Sequence, residues 1–254
     1  MHRIRYVSLA ATLTGGLGAC GVYEDMTTSD FAKQDADAIV AAASEAMRGV
    51  SSMRLTGQVR SKGTQVFIDV RMDRDDRCTG TIRLGGSNID IRRLKDRAWV
   101  KGEAAAVNRL STTPLPAPAL ERLSSSWLPV DDKALLGLCD LDSLLAGFEV
   151  VDYGSNASKA ERVSPGKGKG SGELDDRVPA SVGEESSSDG QKVVPLSGNP
   201  GGLHEEVTWV LSEAPHYVVR IESTSARDGG EVSLSAFDED VLVEAPRPAD
   251  VLRP

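Results

Sequence analysis

Aromatic side chains make up only 4% of the 254 residues, and the chain has just three histidines and three cysteines. Platforms for sugar are therefore scarce. Basic residues are short as well: 29 Lys and Arg face 38 Asp and Glu, for a formal charge of -9. A nucleic-acid ligand rewards clustered Lys and Arg, so this balance argues against one. It also argues against broad adhesion to anionic lipid head groups. Catalytic signatures are missing too. No serine sits in a GxSxG elbow, and a nucleophile has almost no imidazole to serve as its base. His204-Glu205-Glu206 lacks the second histidine of HExxH, because Thr208 stands four positions on. His204 and His216 flank neighbouring strand regions but have no third ligand for zinc. Asp73, Asp75 and Asp76 open like a calcium loop, yet Leu84 occupies the position of its closing glutamate. Gly166 to Ser171 has the wrong glycine spacing for a phosphate loop. An enzyme is not the expectation, and neither a cofactor nor a metal is called for. A small exported hydrolase stays as the weakest alternative.

What is present begins at the N-terminus. His2, Arg3 and Arg5 form a cationic head, and Tyr6 to Gly18 form an apolar segment with no acidic residue. That order is the grammar of an export signal. The segment falls short of the ~20 apolar residues of a membrane-spanning helix. It ends in Leu17-Gly18-Ala19-Cys20, which resembles a bacterial lipobox. There the leader, residues 1–19, is removed and the Cys20 thiol carries a diacylglycerol. Each buried acyl CH₂ contributes about 0.8 kcal/mol, so acyl chains hold a domain at a bilayer without a protein span. A plain secretory signal with an incidental cysteine is the other reading. Loss of Arg3 and Arg5 takes the formal charge from -9 to -11, so attachment rests on acyl chains rather than on charge.

If Cys20 is lipidated, Cys78 and Cys139 remain. In an exported chain two leftover cysteines read as one disulfide, with two buried thiols as the alternative. Composition is that of one globular domain, 40% hydrophobic and 26% charged. The expected division is a leader over 1–19, a polar tether over 20–29, and a domain over 30–254.

A helix capped by Ser29 or Asp30 is expected first, with Phe31, Ile39, Val40, Ala43, Met47 and Val50 as its stripe and Gly49 near its end. From Met53 the period switches to two: Leu55 and Val59, then Val66, Ile68 and Val70, then Ile82 and Leu84, then Ile89 and Ile91, closing at Ala98-Trp99-Val100. Successive hairpins with one apolar face follow from this. Between Glu103 and Phe148 the fragments turn helical, with Asp140 as a cap and Leu135, Leu136, Leu144 and Leu145 as apolar positions. Residues 154–192 are nearly devoid of large apolar side chains and read as a polar flexible loop, or as a hairpin with a long disordered tip. The period of two then resumes through Val207–Leu211, Tyr217–Ile221, Val232–Leu234 and Val241–Val243. The fold class expected is α+β: one large curved antiparallel sheet, a half-barrel, with helices over its concave apolar face.

The lipobox, the capped helix, Val50-Ser51-Ser52-Met53-Arg54-Leu55-Thr56-Gly57, Ala98-Trp99-Val100-Lys101-Gly102, and the ending Phe237-Asp238 to Val243-Glu244-Ala245-Pro246 together resemble the actinobacterial LppX/LprG lipoproteins. That family is similar in architecture to the LolA lipoprotein carrier. The resemblance implies a monomer anchored through Cys20 to the outer face of the bacterial cell membrane, with a lipid or lipoprotein ligand in an apolar cavity. Its walls would be Leu55, Val59, Val66, Ile68, Val70, Ile82, Leu84, Ile89 and Ile91, under a lid of Leu135, Leu136, Leu144 and Leu145. Alternation alone does not separate a hollow face from a filled core. A module with a filled core that binds an envelope protein partner therefore stands beside the carrier.

Overall fold

The computed structural model describes residues 28–61, 63–110, 117–130, 137, 139–149, 180–198 and 206–252. The leader, Cys20, Leu135, Leu136 and the stretch 150–179 lie outside them. Helix α1 spans Ala36–Gly49. Its cap is Asp35, whose Oδ1 accepts a hydrogen bond from the Ala38 N–H at 2.8 Å. This corrects the expected start. Ser29 uses its hydroxyl to accept from the Ala32 N–H at 3.1 Å, closing a separate turn ahead of the helix. Asp37 in the first turn and Arg48 in the last suit the helix dipole. Ile39, Ala43 and Met47, at spacing i, i+4, i+8, are its buried stripe.

Among the described residues, twelve strands form one sheet. β1 (Ser52–Ser61), β2 (Thr64–Asp73), β3 (Arg77–Leu84), β4 (Ser87–Leu94) and β5 (Arg97–Gly102) make the first meander. Helices α2 (Ala104–Leu110) and α3 (Ala117–Arg122), strand β6 (Leu128–Val130) and helix α4 (Leu141–Glu149) follow. The second meander comprises β7 (Ser181–Val182), β8 (Ser186–Ser188), β9 (Gln191–Gly198), β10 (Glu206–Leu211), β11 (Val218–Ser223) and β12 (Gly230–Ser235). The order β6-β5-β4-β3-β2-β1-β12-β11-β10-β9-β7, with β8 beside β9, joins the halves through antiparallel β1 and β12 and leaves the sheet open. Two expectations are corrected here. The polar loop does not run to 192, because β7, β8 and the start of β9 already pair there. Val241–Val243 belongs to no strand: its residues alternate, but the segment has no ladder partner.

Turn chemistry follows the residues. Gly85 and Gly86 both take positive φ, 59° and 89°, which the tight β3–β4 turn requires. Asp73 is buried at the β2–β3 corner, and its Oδ1 accepts from the N–H of Asp75 at 3.0 Å and of Arg77 at 2.9 Å. This carboxylate builds the turn. Gly57 and Gly80 lie on the concave face where neighbouring backbones crowd in. A Cβ on Gly57 would come within 2.7 Å of the Val232 Cα, and one on Gly80 within 2.6 Å of the Val70 Cα. Such glycines mark where a sheet bends tightly.

The concave face carries the core. Met53, Val70, Met72, Ile82 and Ile89 are at most 1% exposed and pack with Ile39, Leu123 and Leu141. Cys78 on β3 and Cys139 ahead of α4 form a disulfide. Arg93 adds a second brace, with Nη1 donating to the Cys139 carbonyl at 3.2 Å and Nη2 paired with Asp76 at 2.6 Å. The Asp140 carboxylate accepts from the Ser143 N–H at 3.0 Å and caps α4. On the convex face each of the three tryptophans lies under an arginine: Arg97 over Trp99, Arg92 over Trp127 and Arg220 over Trp209. The C-terminal segment crosses this face. The Arg92 guanidinium donates to the Glu244 carbonyl at 3.0 Å, and Trp127 exchanges backbone hydrogen bonds with Asp250 and Leu252.

Candidate functional site

Alternation along β10 builds the site. Glu206, Thr208 and Val210 face the same concave side two residues apart, so polarity falls along one strand from a half-buried carboxylate to a fully buried valine. α1 crosses above, and its Val40, Ala43, Ser44 and Met47 close the roof. Leu196 of β9 with Val218 and Ile221 of β11 complete the walls. The free volume beneath the helix is about 40 Å³, room for a few water-sized groups and far below the ~300 Å³ of an ordinary small-ligand site. A ligand of any length needs α1 to shift.

The residues expected to wall a cavity lie elsewhere on the same face. Leu55, Val66, Val70, Ile82, Leu84, Ile89, Ile91 and Leu145 are buried in one apolar cluster, with Val59, Ile68 and Leu144 packed partly buried against it. None of them lines the pocket beneath α1. They are brought together, but against each other and the helices. The pocket belongs to the second meander, where Val207–Leu211 reads in sequence as an ordinary strand. The one signal was the placement of Glu206 and Thr208 on the apolar parity of Val210.

A larger groove of about 1070 Å³ opens on the far side, between β5–β6 and the C-terminal segment, with Trp99, Pro129, Pro246 and Pro248 in its walls. It is open to solvent, and its rim holds Arg97 and Arg247, the latter paired with Asp250 at 2.8 Å.

The chain enters the domain at a fixed point. Glu185 Oε2 accepts from the Ser29 N–H at 3.0 Å and from the Lys192 ammonium at 3.2 Å. Burial pushes this carboxyl up, but donors from Ser212, Ser29 and Lys192 outweigh it and bring it down to about 2. Next to it Phe31 stacks on His216, ring centroids 3.8 Å apart. At the other end of α1, Asp238 Oδ1 accepts from the N–H and hydroxyl of Ser51, and Oδ2 accepts from the Tyr217 hydroxyl. Backbone hydrogen bonding from Ser51 is the largest influence holding Asp238 below the usual carboxylate range. Among the described residues no cluster of His, Cys, Asp and Glu could hold a metal, and no helix is long and apolar enough to cross a membrane.

No protein-family model matches the chain, and no curated protein matches it. Solved structures do. LprF from Mycobacterium bovis superposes with a TM-score of 0.52 at 12% identity, over 83% of this chain and 96% of that one. The lipoprotein LppX of Mycobacterium tuberculosis gives 0.48 at 14% identity, over 83% of this chain and all of that one. An uncharacterized conserved protein from Thermus thermophilus gives 0.36 at 12% identity, over 87% of this chain and all of that one. At this identity the likeness to LprF speaks for architecture alone. The chain has the fold of LprF.

Proposed function

We propose that this protein is a lipoprotein, anchored through Cys20 at the outer face of the cell membrane, that takes the apolar chain of a lipid beneath α1. The observation that carries the reading is the graded pocket, polar at Glu206 and Ser44 and apolar at Val210 and Val218, roofed by a helix over an open sheet. Apolar surface withdrawn from water stabilises by ~25 cal/mol per Å², and a cargo that must be released suits a site that opens and recloses. Eight residues lie between Cys20 and Ser29, nine residue steps in all, and a fully extended chain covers ~3.5 Å per step. The latch at Glu185 would thus hold the domain within about 30 Å of the bilayer.

A module with a filled core that docks an envelope protein is the second reading. It is favoured by the tight packing of Ile82, Ile89 and Val100, each at most 1% exposed. Native mass spectrometry of the Cys20→Ser protein offered extracted lipids separates the two. Lipid bound in stoichiometric amount, and lost in Ala43→Trp, supports the first. An apo mass with no uptake sinks it in favour of the second. Metabolic palmitate labelling that persists in Cys20→Ser would refute the anchor.

A further inference from the structure

We infer that the pocket beneath α1 selects amphiphiles whose head group offers hydrogen-bond donors and carries no negative charge, and that Glu206 sets this selection. The inference rests on the lipid-binding reading above. Its basis is the inventory of polar groups at the mouth. The pocket is lined by one carboxylate, Glu206, and two hydroxyls, Ser44 and Thr208; among the described residues no lysine, arginine or histidine lines it. Thr208 is 9% exposed, and Val210, one step further in, is fully buried. An apolar tail reaching Val210 leaves its head beside Glu206, about 13 Å back along the strand at ~3.3 Å per residue.

A half-buried carboxylate there discriminates by charge. A fatty-acid head would set a second carboxylate beside the first, and like charges in one partly desolvated site cannot both stay ionised without cost. An amine, or a polyol hydroxyl, instead donates a charge-assisted hydrogen bond to Glu206. The hydroxyls of Ser44 and Thr208 can donate or accept and so serve either head, which leaves the choice to Glu206. On the reverse side of β10, Trp209 lies under Arg220, so that cation faces away from the pocket.

Three probes of equal chain length test this: laurate, 1-monolauroylglycerol and dodecylamine, titrated below their aggregation concentrations against the purified protein at pH 7. Laurate is expected to bind at least about tenfold more weakly than the other two. Glu206→Gln is expected to bring laurate level with the monoglyceride and to weaken the amine. Glu206→Lys is expected to invert the order, and it serves if the glutamine variant folds poorly. Equal affinity of wild type for all three probes overturns the selection while the lipid-binding reading stands. So does a laurate-to-glyceride ratio unchanged in both variants. If none of the three binds wild type, or if Ala43→Trp leaves all of them bound as before, the pocket reading falls and takes this inference with it.

Discussion

Removing the Cys78–Cys139 bridge tests how the helical layer is held on the sheet. The two positions are 61 residues apart and both cysteines are fully buried. For a loop of that length the chain-entropy relation gives about 4 kcal/mol at 25 °C, with the unfolded chain as the state released. At the scale of a domain exceeding 200 residues this corresponds to a melting point lowered by roughly 8–16 °C. Urea unfolding of the oxidised protein, the reduced protein and Cys78→Ala/Cys139→Ala measures it, and the reduced sample separates loss of the bond from loss of the sulfurs. A local signature should accompany the global one. α4 sits directly after Cys139 and is held by Leu141 and Leu145 in the core, by Arg93 on the Cys139 carbonyl, and by Arg74 on Asp142. Without the bridge, amides of α4 are expected to exchange with solvent well before those of β2 and β3. A stability loss under about 1 kcal/mol refutes the loop argument. Unchanged protection of α4 refutes the claim that the bond pins that layer.

Glu185 predicts an acid-sensitive entry point. Its carboxyl lies lower in the folded protein, at about 2, than its ordinary 4.5, so its contribution is complete above about pH 5 and is lost as the pH falls toward 2. Acid unfolding of Glu185→Gln should show a shallower slope in that window, and a slope identical to wild type counts against the latch. Asp35→Ala removes the α1 cap and should cost about 1 kcal/mol in thermal or urea melts; no loss would mean that the Ser29 turn suffices. Gly80→Ala places a Cβ 2.6 Å from the Val70 Cα, and main chain cannot rotate away, so a loss of about 1–3 kcal/mol is expected. A neutral outcome would show that the bend does not depend on glycine.

Long alternating strands were legible because each repeats its pattern several times. β2 carries Val66, Val70 and Met72 inward with Asp69 and Arg71 outward, and that rhythm places the residues on the right face. The same parity in both halves anticipated one sheet, and the Asp140 cap was readable from the apolar run behind it. β6, β7 and β8 were not, because two or three residues contain no rhythm, and Ser186–Ser188 has no apolar side chain at all. Val241 and Leu242 show the converse failure. One is 3% and the other 83% exposed, an alternation produced by lying across a sheet rather than within it. Position in the sheet decided the site. Periodicity put the Glu206 side chain on the concave face, but which concave positions lie beneath α1 depends on where that helix crosses, which is a property of packing.

The three tryptophans have a practical consequence. Every indole in the chain faces the convex side beneath a guanidinium, while the pocket opens on the other. Intrinsic fluorescence therefore monitors one surface of the sheet and is blind to its opposite. Lipid seated under α1 changes the surroundings of no indole, so emission should stay flat through a titration that mass spectrometry records as saturated. Detachment of the C-terminal segment, in contrast, wets Trp127 and shifts its emission to the red. A spectroscopist working with this protein has a reporter of its back, and needs an added fluorophore on α1 to watch its mouth.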